Sequence, residues 1–151
     1  MEKKEILKGS IIGAIINAII NGVINWFMVR GQSEILLTQD LISSDTETIF
    51  SGIVPLATSL AFILTTVTFF TLKIPGKPRY FPKVFFLALR NTFMAFGMVI
   101  AIAIMIQKFA ADVVATPITS AIIAGITAGI VAGLVDYITK NDIIAISHKQ
   151  F

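Results

Sequence analysis

IIGAIINAIINGVINWFMV, the stretch from Ile11 to Val29, gives the clearest indication of what kind of protein this chain forms. It has no charged residue and approaches the roughly 20 helical residues that cross a hydrocarbon core of about 30 Å. Three asparagines, Asn17, Asn21 and Asn25, follow one another within it at four-residue steps. Because each helical residue advances about 100°, the three amides share one face of a helix. The stretch therefore predicts a membrane-spanning helix that carries a polar stripe.

The apolar character of this stretch recurs along the whole chain. Of the 151 residues, 56% are hydrophobic and only 14% are charged, whereas a soluble domain carries about 25% charged residues. The deficit lies in long uncharged runs, which predict four spans at roughly residues 7–29, 49–72, 84–106 and 118–138. We therefore expect an all-α integral membrane protein, a four-transmembrane-helix bundle forming one membrane domain over residues 1–151.

The basic residues predict how these spans are oriented. Ten of the twelve Lys and Arg residues lie near the N-terminus, near the connection between the second and third spans, or in the C-terminal tail. Only Arg30 and Lys108 lie on the other side. Since Lys and Arg concentrate on the cytoplasmic side of membranes, both termini are expected in the cytoplasm. The net charge of +3 then follows from topology, and we expect no nucleic-acid partner. Small size and isoleucine-rich spans suggest a bacterial cytoplasmic membrane.

The connection over residues 30–48 and the start of the second helix carry local signals. Apolar groups at residues 35–37 and 41–42 predict a short helix lying in the membrane interface, with a flexible loop as the alternative. Ser44 and Glu47 match a capping box, which starts the second helix ahead of its apolar run. Pro55 is expected to kink that helix or to free a carbonyl in it.

Hydroxyl side chains mark one face of the second span. Thr58, Ser59, Thr65 and Thr66 fall within one arc of the helix, together with Ser51. Such hydroxyls either line a hydrated path or bond back to carbonyls one turn earlier, as Ser and Thr often do in membrane helices. Both interpretations stay open on the sequence alone.

A basic, proline-rich connection joins the second and third spans. Residues 73–83 contain three prolines, which forbid a regular helix and predict a stiff, extended turn. Its basic and aromatic residues fit contact with anionic lipid, although positive-inside topology explains them equally well. Arg90, just inside the third span, either snorkels to the surface or forms an ion pair with Asp136 on the fourth helix.

Small residues repeat every four positions in the fourth span. The glycines of this stripe are Gly125, Gly129 and Gly133, and an offset of 111 residues aligns them with Ala14, Ala18 and Gly22 of the first span. Small side chains at this spacing let the backbones of two helices approach closely. The stripes predict helix packing, and the glycine face is a candidate surface for association with a second copy.

The chain lacks the groups that most membrane enzymes use. It has no cysteine and a single histidine, His148, which excludes thiolate chemistry and a histidine metal cluster within one chain. Its interior offers no group of titratable residues for acid–base catalysis. We therefore expect no enzyme activity, no cofactor and no metal.

Two functions remain, and each gives the asparagines a different role. The first is a homo-oligomeric channel or transporter for an ion or small polar solute, lined by Asn17, Asn21 and the hydroxyls of the second span. The second is a non-transporting accessory or scaffold subunit that packs against another membrane protein. The amides act as interhelical bonds, line a hydrated path, or hold a polar ligand or lipid. Expected partners are the lipid bilayer, the protein itself and, in the second case, another membrane protein.

Overall fold

A computed structural model describes residues 3–39, 47–110 and 113–148 of the chain. Each of its four long α-helices is long and apolar enough to cross a membrane, as the sequence predicts. The helices are α1 (Lys3–Val29), α2 (Ile49–Thr71), α3 (Phe85–Ala110) and α4 (Pro117–His148). Four successive crossings bring the start of α1 and the end of α4 to the same side as the α2–α3 connection. We call this side the basic end and the other side the opposite end.

The helices are arranged as a row. α4 lies between α1 and α2, with its most extensive contact against α1, while α3 packs against α2 and only lightly against α4. α1 therefore occupies one edge of the row, and its principal neighbour is α4 alone. One consequence is that a single copy has no ring of four helices around a central space.

The apolar core lies among α2, α3 and α4. Its large buried members include Phe50 and Ile53 of α2, Val99 of α3 and Val131 of α4. α1 contributes little to any core: its buried residues are Ile6 and Ser10. Apart from Val29, which is partly buried against the core, its other large aliphatic side chains are exposed on the protein surface, where in a bilayer they meet lipid tails.

At the opposite end, two short strands join the α1–α2 connection to the α3–α4 connection. β1 (Ile35–Leu36) pairs antiparallel with β2 (Val114–Ala115), with Ile35 opposite Ala115. The described part of the first connection thus holds a strand in place of the interfacial helix that the sequence suggests. Extended pairing satisfies backbone groups that would otherwise need a helix or water. The second apolar pair of that connection, residues 41–42, lies outside the described residues.

α2 begins one turn later than the capping box at Ser44 predicts. Thr48 is its N-cap: the Ser51 amide donates to Thr48 Oγ1 at 3.1 Å, and the Thr48 amide donates to Ser51 Oγ at 2.9 Å. This reciprocal pair performs the capping role that we assigned to Ser44 and Glu47, and Ser44 itself lies outside the described residues. Beyond the cap, α2 continues through Pro55 to Thr71.

The α2–α3 connection combines a tight turn with an irregular one. Gly76 has φ 64°, a conformation that favours glycine. A short π-helical turn, Tyr80–Val84, then leads into α3 and includes Phe81 in an extended conformation. The absence of regular α-helix over residues 73–83 agrees with the three prolines there.

α4 runs ten residues past the predicted end of its span at residue 138. At 1.5 Å per residue, this adds about 15 Å of helix. The extension docks at the basic end, where Ile143 is buried and Ser147 Oγ donates to the carbonyls of Pro75 and Gly76 at 2.8 and 3.0 Å. Hydropathy missed it because residues 139–142, Thr-Lys-Asn-Asp, are all polar.

Candidate functional site

Close backbone contact holds α1 against α4. A Cβ added at Gly125 would lie 2.7 Å from the Ala18 carbonyl oxygen, and one at Gly129 would lie 2.9 Å from Ala18 Cβ and 3.0 Å from the Ala14 oxygen. Since these separations are below normal van der Waals contact, no larger residue fits without moving a helix. The structure thus brings the two small-residue stripes together within one chain. They are Ala14, Ala18 and Gly22 on α1, and Gly125, Gly129 and Gly133 on α4.

This contact corrects one expectation about the glycine face. α1 of the same chain covers the face, so the glycines are not available for association with a second copy. The helices run antiparallel, so the small residues pair in reverse order along the chain: Gly22 lies near Gly125, and Ala14 near Gly133.

The packing of α1 also fixes where its asparagines point. Each asparagine follows a small residue of the stripe by three positions, which turns it about 60° around the helix from the α4 contact. Asn25 shows which side this is: its Oδ1 accepts from Ser120 Oγ of α4 at 3.0 Å. Asn25 also lines a cavity of about 230 Å³ together with Thr48 and Ser51 from the start of α2. The asparagine face of α1 is therefore the side directed toward α2.

Asn17 and Asn21 use only part of their hydrogen-bonding capacity. The Asn17 side-chain amide donates to the Gly13 carbonyl, and that of Asn21 to the Asn17 carbonyl, both at 2.9 Å. Neither Oδ1 has a partner among the described residues. Since no fully buried side-chain polar atom in those residues lacks a partner, both oxygens reach the protein surface. In this half-buried position, each amide still offers an acceptor and an N–H to a neighbour.

At the basic end, the same side of α1 meets a carboxylate. Asp136 of α4 accepts from Ser10 Oγ of α1 at 2.7 Å, from Thr68 Oγ1 of α2 at 2.7 Å and from Lys140 Nζ at 2.5 Å. The Asp136 side chain is 15% exposed. Asp136 thus links α1, α2 and α4 through hydrogen bonds. Its ionic partner Lys140 lies four residues later on the same helix, a spacing at which oppositely charged side chains commonly pair, so the sequence alone could have indicated it.

The predicted ion pair between Arg90 and Asp136 is wrong. Arg90 Nη2 instead lies 2.5 Å from Asp142 Oδ2 and donates to Asn91 Oδ1 at 3.0 Å. Asp142 lies in the part of α4 beyond the predicted span, which explains why the sequence suggested the wrong partner. The guanidinium side chain is 54% exposed, consistent with the alternative that it snorkels toward the surface.

Together these groups form a line of polar side chains along the α2-facing side of α1. From Ser10 to Asn25 the helix rises about 22 Å, most of a hydrocarbon core of about 30 Å. We call this set of residues the polar column. Its members are Ser10, Asn17, Asn21 and Asn25 on α1, Thr68 on α2, and Ser120 and Asp136 on α4.

The hydroxyls of α2 do not join the polar column. Thr58 and Thr65 donate back to the carbonyls of Val54 and Ala61 at 2.7 and 2.9 Å, the structural alternative that the sequence left open. Thr66 shares a hydrogen bond of 2.9 Å with the Tyr80 hydroxyl, and Ser59 is exposed. The asparagines of α1 and the hydroxyls of α2 therefore do not form one continuous polar stripe, as the sequence suggests they could.

A second polar cluster, which sequence reasoning missed, joins α2, α3 and α4. Asn91 is fully buried, and its Nδ2 donates to Thr65 Oγ1 at 3.1 Å and to Thr139 Oγ1 at 3.0 Å. Its Oδ1 accepts from Arg90, so the amide has partners on both its nitrogen and its oxygen. A closed network of this kind fixes helix positions and leaves no group for a solute.

No group of three His, Asp or Glu side chains that could hold a metal occurs within residues 3–39, 47–110 and 113–148. Comparison of the chain with protein-family models, curated proteins and solved structures finds no match. Fold and site together define a small multi-pass helical membrane protein with a polar column along its edge helix.

Proposed function

We propose that this protein is a homo-oligomeric channel or transporter for an ion or small polar solute, and that the solute follows the polar column. The observation that carries the proposal is the state of Asn17 and Asn21: the Oδ1 of each reaches the surface without a described partner. Polar groups left unpaired in hydrocarbon are costly. Water, a solute or another protein surface relieves that cost.

The position of α1 supports an assembly of several copies. α1 lies at the edge of the row and packs mainly against α4, so one copy cannot enclose a path. A carboxamide is both donor and acceptor, which makes the asparagine face complementary to itself across a two-fold axis. A second copy placed on this face encloses the column between protomers.

The charges along the column favour facilitated passage. Between Ser10 and Asn25, α1 has no charged side chain, and the one carboxylate, Asp136, pairs with Lys140. Strong voltage sensing needs charges within the membrane field, and the column offers none unpaired. We therefore propose passage down a gradient through amide and hydroxyl contacts.

We further propose that the basic end faces the cytoplasm, in the setting of a bacterial cytoplasmic membrane. The support for this orientation is that nine of the eleven Lys and Arg residues that the structure describes lie at that end.

The test is solute and ion flux in liposomes that contain the purified protein. Asn17→Leu combined with Asn21→Leu should abolish flux, because it replaces the central amides of the column with apolar side chains. The matched control is Thr58→Val combined with Ser59→Ala, which removes two polar groups of a spanning helix outside the column and should leave flux unchanged. Equal flux from the wild type and the asparagine variant would contradict the proposal.

A second function, an accessory subunit of a larger membrane complex, has one observation in its favour. The exposed face of α1 carries large aliphatic side chains such as Ile15 and Ile19, 54% and 62% exposed, and a helix of a different membrane protein fits against such a face as readily as lipid does. Purification in mild detergent separates the two functions. A partner of different mass in fixed stoichiometry supports the accessory role, and an assembly of this chain alone supports the channel or transporter.

A further inference from the structure

A groove at the basic end opens between the start of α3 and the extension of α4. It has a volume of about 410 Å³ and is lined by Lys83 and Arg90 at its rim, with Phe86, Leu87, Ala145 and Ile146 forming apolar walls. The groove exists because α3 and α4 pack only lightly against one another. We propose that it binds an anionic phospholipid, whose phosphate lies between Lys83 and Arg90.

Charge at the rim selects the headgroup. Lys83 is exposed and has no described hydrogen-bond or ionic partner. Arg90 uses one terminal nitrogen for Asp142 and Asn91, which leaves other guanidinium N–H groups for a phosphate oxygen. Among the described residues, Asp142 is the one carboxylate that lines the groove, against two cations, Lys83 and Arg90. The rim therefore has an excess positive charge, at the membrane face where basic side chains meet lipid headgroups.

The surface below the rim suits an acyl chain. Phe86, Arg90, Phe93 and Gly97 follow one another at helical spacing and form a single stripe on α3. Phe86 and Phe93 are 61% and 72% exposed, and no atom lies within 4 Å of a Cβ built on Gly97. Phe86 lies at the level of the rim, and from the guanidinium toward the bilayer centre the stripe presents the Phe93 ring and then an open notch at Gly97. A free phosphate ion would use the rim alone, whereas a phospholipid uses both the rim and the stripe.

The test is a measurement of lipid affinity by native mass spectrometry on the detergent-purified full chain. The probes are phosphatidylglycerol and phosphatidylcholine with identical acyl chains. Phosphatidylglycerol should bind more tightly, and Lys83→Gln should weaken its binding about fivefold, the effect of one basic side chain near a membrane surface. Lys108→Gln removes the same charge near the other end of α3, away from the groove, and should change nothing.

Asp142→Asn separates a binding role from a structural one. It removes the carboxylate that competes for Arg90, so it should tighten phosphatidylglycerol binding even if the loss of the ion pair lowers thermal stability. Three results would overturn the proposal: equal affinity for the two lipids, equal effects of Lys83→Gln and Lys108→Gln, or full displacement of the lipid by inorganic phosphate. The last result would assign the rim to a free ion.

Discussion

α4 holds its two main neighbours by opposite means. Against α1 it presents glycines, and the contact is backbone on backbone, with Gly125 facing the Ala18 carbonyl. Against α2 and α3 it presents larger side chains, such as Val131 and Val135, and a hydroxyl, Thr139, that accepts from Asn91. The α1 side of α4 is held by close backbone approach, with side-chain hydrogen bonds toward the two ends at Asp136 and Ser120. The other side is held by filled volume and a buried hydrogen-bond network.

The asparagines on the two sides of α4 differ in the same way. Asn91 is buried with all its bonds directed to other side chains, two of them on other helices. Within the described part of the chain, Asn17 and Asn21 bond only to their own helix, and the Oδ1 of each has no partner. The same side-chain type therefore joins helices in the core and leaves a hydrogen-bond acceptor accessible at the edge helix.

Gly125→Leu should produce the largest loss of stability. A Cβ at this position already lies 2.7 Å from the Ala18 oxygen, so a leucine forces α1 away from α4. Overpacking of this kind costs about 3 kcal/mol. Unfolding in mixed detergent micelles measures the loss, and Gly97→Leu is the control, because no atom lies within 4 Å of its Cβ position. Equal losses for the two variants would show that α1 is not held by close packing.

Asn91→Leu should come next. It removes the donors to Thr65 and Thr139 and leaves Arg90 without the Asn91 acceptor. Loss of such a buried network costs roughly 1–3 kcal/mol. The neighbouring Thr92→Val is the matched control, since Thr92 bonds only back to the Ala88 carbonyl and its removal should cost clearly less. An Asn91 variant as stable as the Thr92 variant would show that the hydrogen bonds of Asn91 do not stabilise the packing of these helices.

The Asn17→Leu and Asn21→Leu pair should change stability least. Both amides bond within α1, and hydrogen bonds between membrane helices themselves average only about 0.6 kcal/mol. We expect the loss of stability within a single copy of the chain to stay below about 1 kcal/mol. A loss equal to that of Asn91→Leu would assign the two amides to interhelical bonding, the alternative that the sequence left open.

The sequence predicted the elements of this fold better than it predicted their neighbours. Long apolar runs identify four helices, and the spacing of Gly125, Gly129 and Gly133 identifies a close contact. The partner of that contact depends on how helices are rotated about one another, which no single helix encodes. For the same reason the sequence does not show that Thr58 and Thr65 bond back to their own helix and lie apart from the asparagines.

Polar residues near helix ends were the hardest to place. The polar run from Thr139 to Asp142 ends the predicted span, so hydropathy does not show the extension of α4 or that Asp142 is the partner of Arg90. The junction at Asp136 went unrecognised because it combines side chains from α1, α2 and α4. The two strands at the opposite end are two residues each, too short for periodicity to reveal.

Cysteine accessibility measures whether the asparagine face of α1 borders a hydrated path. The chain has no native cysteine, so Asn17→Cys, Asn21→Cys and Ile19→Cys each introduce a single thiol at similar depth. Ile19 lies on the side of α1 away from the asparagines, in a groove with Ile122 and Ile126 of α4. In liposomes, a water-soluble, membrane-impermeant thiol reagent should label positions 17 and 21 and spare position 19, because thiolate forms only where water reaches. Three equally unreactive thiols would contradict the account and place the amides against lipid or protein.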